Sequence, residues 1–77
     1  MLIEGIEYST LRGSDPDRDG MFLELYVGAD RTHGPVAECF YSDRDRSFSL
    51  TEYESGVSPA ALAWLRSESE RWLPPSR

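Results

Sequence analysis

The chain has 77 residues, with 14 acidic against 8 basic side chains and a formal net charge of −6 at pH 7. So short a chain can build one hydrophobic core and no more, and residues 1–77 are expected to form a single small domain, with 74–77 a short tail after its last element. With 39% hydrophobic and 29% charged residues it is neither a disordered polyampholyte nor a membrane span, which needs a run of ~20 apolar residues.

The charge also excludes partners. No two basic residues are adjacent, so no basic run exists to neutralise phosphates, and nucleic acid is not an expected partner. An acidic surface favours encounter with a basic protein instead. Cys39 is the single cysteine and cannot form an internal disulfide, which suits a reducing compartment. The opening MLIEGIEYS has two acids within seven residues and no apolar run of secretory length, so cytoplasmic residence is the expectation.

The first β-like run extends from Leu2 to about Leu11, with Gly5 marking a bulge or a close backbone approach. Asp15-Pro16-Asp17-Arg18-Asp19-Gly20 follows and matches the first half of a calcium loop, with carboxylates at alternate positions and a glycine for the sharp turn. Its second half is missing: counted from Asp15, the position of the bidentate Glu holds Tyr26, and Glu24 comes two residues early. An acidic turn between two strands accounts for the same residues, and no metal or cofactor is assigned to them.

Met21 to Val27 alternates cleanly, with Met21, Leu23, Leu25 and Val27 pointing one way and Phe22, Glu24 and Tyr26 the other. The loop GADRTHGP then carries His33, the only histidine, which reads as a solvated loop residue and lacks the companions a metal site needs. In the run from Val36 to Ser42, placing Ala37, Cys39 and Tyr41 inward avoids burying Glu38, so Val36, Glu38 and Phe40 face outward. Inward placement also keeps Cys39 from acting as a nucleophile with His33. Asp43-Arg44-Asp45-Arg46 is short enough to close a hairpin onto a fourth run, Ser47 to about Tyr53, with Phe48 and Leu50 on one face and Ser49, Thr51 and Tyr53 on the other.

Ser58-Pro59 announces a helix, with the serine as N-cap and the proline in the first helical position. It should run to Leu73, where Pro74-Pro75 ends it. At ~100° per residue, Ala61, Leu62, Leu65, Ser69, Trp72 and Leu73 form the stripe that lies on the sheet, and Trp64 falls on the outer side. The fold expected is therefore α+β in two layers: a four-stranded antiparallel β-meander with one C-terminal helix packed on one face.

One helix of roughly 22 Å covers one face of such a sheet and leaves the other open. That second face should present Phe22, Glu24, Tyr26, Glu38, Phe40 and Tyr53, large rings among carboxylates, and Trp64 is a further exposed anchor. The carboxylate pairs Glu52/Glu54 and Glu68/Glu70 read as solvated charge, not as an acid and base couple, because a domain this small has little volume for a desolvating pocket. The expectation is a non-catalytic, acidic protein-binding module that blocks a basic site on another protein. It is comparable, by size and charge alone, with bacterial immunity proteins, antitoxins and phage inhibitors of host defence. Two alternatives stand beside it: a homodimer using the same open face, and a metal-binding or hydrolytic domain using the Asp15–Asp19 loop.

Overall fold

The structure, a computed structural model, describes residues 1–73. The chain runs β1 (Leu2–Ile3), β2 (Ile6–Asp15), β3 (Gly20–Val27), β4 (Ala37–Ser42), β5 (Ser47–Glu52) and α1 (Pro59–Trp72). The five strands form one antiparallel sheet whose spatial order follows the chain, β1-β2-β3-β4-β5. The α+β architecture and the C-terminal helix are as the sequence implies, with one strand more than expected. The expected tail at 74–77, and any cover it gives the sheet, lies outside the described residues.

The extra strand comes from the first run, which is two strands folded on each other and not one. Glu4 and Gly5 both have positive φ, 51° and 81°, and Ile3 pairs directly with Ile6. Two successive left-handed residues make the tight turn whose twist matches paired strands, and Gly5 supplies the half of it that costs nothing. Gly5 is therefore a hairpin turn and not a bulge.

On β3 and β4 the alternation sets the faces as read except at Val36, expected outward, which precedes the strand proper and is buried in the helix-side core. Leu23, Leu25, Ala37, Cys39 and Tyr41 are buried towards α1 with Tyr8 of β2, and Met21 and Phe48 pack against them. The helix contributes Ala61, Leu65 and Ser69, with Leu73 as its C-cap. Small residues on both sides, Ala37 and Cys39 below and Ala61 and Ser69 above, let the helix approach the sheet closely. Ser69 is fully buried yet satisfied, since its Oγ donates to the Leu65 carbonyl at 2.7 Å.

Ser58 caps the helix as expected, accepting from the Ala60 N–H at 3.1 Å, and its hydroxyl donates to Glu4 in the β1–β2 turn. The helix start is thereby tied to the first hairpin. Two tryptophans exchange the places the helical wheel gave them. Trp64 is half-buried against the core, not on the outer side, while Trp72 is 47% exposed. The helix packs across β3 and β4, so its last turn overhangs β2, where Trp72 meets Thr10 and Arg12 at the rim instead of a closed core.

Candidate functional site: the sheet face opposite the helix

Cross-strand register assembles the second face in rows. Leu11, Glu24, Glu38 and Thr51 lie opposite one another across four strands, as do Gly13, Phe22, Phe40 and Ser49. Phe22, Glu24, Tyr26, Glu38 and Phe40 thus share one face, with no helix or strand over it among the described residues. Tyr53 follows β5 and is 52% exposed. Trp64 is not part of this face; it packs on the opposite side of the sheet.

The face is less open than its composition implies. Phe22 and Glu24 are half-buried, but Tyr26, Glu38 and Phe40 are buried, at 6%, 5% and 8% exposure. Two devices hide them. The first is glycine: a Cβ on Gly13 would lie 2.5 Å from Cζ of Phe22, and one on Gly20 would lie 2.5 Å from Cζ of Phe40. The two rings lie flat over the neighbouring strand because glycine leaves room beneath them.

The second is arginine. Arg18, at the tip of the β2–β3 hairpin, folds back so that its guanidinium sits 4.1 Å from the Phe40 ring centroid. From there Nη1 and Nη2 donate to the two oxygens of Glu38 at 3.0 and 2.9 Å, and Nε donates to Asp15 at 2.6 Å. Arg31, from the β3–β4 loop, lies 5.3 Å from the Tyr26 ring and donates through Nη2 to the Thr10 carbonyl at 3.0 Å. Each cation lies over the π-face of a ring, the arrangement a ring quadrupole favours.

These contacts resolve an electrostatic conflict. Glu24 and Glu38 are directly opposed on β3 and β4, which places like charges side by side. Arg18 neutralises Glu38, and the Tyr26 hydroxyl donates to Glu24 at 2.7 Å. Burial first, then the Glu24 bond, push the Tyr26 phenol above its ordinary pKa, so it stays a donor. Partial burial and the nearby Glu38 carboxylate raise Tyr53 in the same direction.

The acidic loop is spent on this structure. Asp15 Oδ1 accepts the backbone N–H groups of Asp17 and Arg18 at 3.1 and 3.2 Å, and its Oδ2 takes the Arg18 side chain. The Arg18 side-chain bond holds the Asp15 carboxyl below its ordinary pKa. Among the described residues no group of three or more His, Cys, Asp and Glu side chains is placed to hold a metal. His33 is exposed, and Cys39 is buried on the helix side of the sheet, where burial pushes its thiol pKa up. Cys39 and His33 are therefore not brought together.

The residues that sequence reasoning missed are Arg18, Arg31, Gly13, Gly20 and Leu11. Glycines at strand positions on either side of an acidic turn were the available signal, because they mark places where a ring approaches the backbone. Between the β2–β3 and β4–β5 turns the face dips into a hollow of about 460 Å³ bordered by Arg18, Phe40, Ser42, Arg44 and Ser49. Comparison of the chain with family models, curated proteins and solved structures finds no significant match.

Proposed function

We propose that the protein is a small acidic protein-binding module that lays the sheet face opposite its helix against a basic site of another protein and blocks it. The observation that carries this reading is Glu24, a half-buried carboxylate flanked by Phe22 and Leu11 on a face that no element covers among the described residues. A partner's guanidinium on Glu24 would meet what Arg18 and Arg31 meet within the chain, an aromatic ring beside an acceptor. The net charge of −6 steers a basic partner towards it.

Glu24→Gln tests the reading without breaking the Tyr26 bond, because the amide oxygen still accepts. Affinity capture from cells that make the protein should yield a basic protein whose retention falls with salt and is lost with Glu24→Gln or Phe22→Ala. Capture that ignores both substitutions, or that yields an acidic protein, rejects this face. If a second copy covers the face instead, sedimentation at two concentrations will show a dimer that Phe22→Ala dissociates.

A further inference from the structure

Beyond its pairing with β1, strand β2 has an edge that no other strand meets among the described residues. The Gly28 N–H donates to the Glu7 carbonyl at 2.7 Å on the β3 side, and the Tyr8 N–H donates to the Met1 carbonyl at 2.8 Å on the β1 side. Antiparallel alternation then turns the N–H and C=O of Thr10, Arg12 and Ser14 away from β3. Backbone bonding to the N-terminal segment stops at Tyr8, so among the described residues no strand meets them. Arg31 already takes the Thr10 carbonyl.

The side chains of those residues point to the helix side, where α1 passes over β3 and β4 and leaves β2 at the margin. A groove of about 240 Å³ remains there, lined by Thr10, Arg12, Leu23 and Trp72. The guanidinium groups of Arg12 and Arg71 lie 5.4 and 5.0 Å from the Trp72 ring centroid, and neither pairs with a carboxylate among the described residues. Two guanidinium groups without a carboxylate partner among the described residues thus flank this groove. On the helix side of β5 the hollow is about 70 Å³, and Arg66 is the one basic side chain among those lining it.

We propose that β2 is a strand-addition site for an extended acidic segment of a partner protein. The segment pairs with the Thr10 N–H and with the outward N–H and C=O of Arg12 and Ser14, sets a carboxylate on Arg12 and lays an apolar side chain two residues away against Trp72. The ladder of alternating donors and acceptors matches a peptide backbone, and the arginines select its charge. The site lies on the helix side of β2 and uses neither Glu24 nor Phe22, although Arg31 touches both places.

The test is selection of a random twelve-residue display library on the intact protein. Sequences enriched in Asp or Glu are expected, and a synthetic copy should slow hydrogen exchange at the Thr10, Arg12 and Ser14 amides. Arg12→Glu should weaken it at least tenfold. Ser14→Pro, which removes an outward N–H that an edge strand can lose, should do the same. If Ser14→Pro fails to fold by circular dichroism, Arg12→Glu and the amide protection decide. No enrichment, or edge amides protected by raising protein concentration alone, overturns the proposal. Basic sequences that release on Glu24→Gln overturn it too, while supporting the acidic face.

Discussion

Arg18 and Glu38 meet as a fork on a fork: two parallel hydrogen bonds of 3.0 and 2.9 Å join a guanidinium at the β2–β3 hairpin tip to a carboxylate on the adjacent strand β4, buried at 5% exposure. Bidentate geometry of this kind is available to arginine and not to lysine.

Removing Arg18 leaves the Glu38 charge buried without its cation. The full cost of orphaning a buried charge is reduced here because Arg18 is itself 45% exposed and water can enter. Arg18→Ala should lose about 1–3 kcal/mol, read by urea denaturation, with the melting temperature falling about 4–8 °C for each kcal/mol. Arg18→Ala combined with Glu38→Gln should regain part of the loss. Equal stabilities of Arg18→Ala and wild type would mean that the fork contributes nothing.

Asp15 gives the pair a pH signature. Its pKa is depressed in the folded chain, chiefly by the Arg18 side chain, so the stability it adds is present above the unfolded value and is lost as pH falls through the folded one. Asp15→Asn keeps an oxygen for the backbone N–H groups and removes the charge. The difference between wild type and this variant should be constant near neutrality and shrink below about pH 4 in parallel denaturation curves.

The two strand glycines should not respond alike to alanine. At Gly20 the new methyl would strike the Tyr41 carbonyl as well as the Phe40 ring, and backbone cannot swing aside. At Gly13 it meets the Phe22 ring alone. Gly20→Ala should cost about 3 kcal/mol and Gly13→Ala about 1 kcal/mol. Thermal melts that rank the two in the opposite order would contradict the packing described.

Cys39 is 1% exposed and faces the helix, and burial raises its thiol pKa. A chromogenic disulfide reagent at neutral pH should leave it unreacted in the native protein and modify it fully in denaturant. Rapid native reaction would place the thiol outside the core.

Much of the fold was legible because alternation at Met21–Val27 sets the faces of that strand, and because Ser58-Pro59 is a local signal with a local cause; 37–42 can be read either way, and keeping Glu38 off the helix side gives the right faces although Glu38 is buried all the same. What escaped depended on non-local geometry. A helical wheel counts angles and knows nothing of where the sheet ends, so it puts Trp72 in a core that its turn overhangs. Face assignment placed Phe40 and Tyr26 correctly but not their burial, because their cover is two arginine side chains from turns and not a strand or a helix.

The sheet follows the chain in order, so each strand finds its mate across one short connection. Closing short loops loses little chain entropy, and domains dominated by such neighbouring pairings fold quickly for their size. The ribbon can therefore zip from its first hairpin onward, and docking of the helix is left as the event that makes the assembly cooperative. Destabilising changes in the second and third strands should slow folding, and changes on the helix should chiefly hasten unfolding.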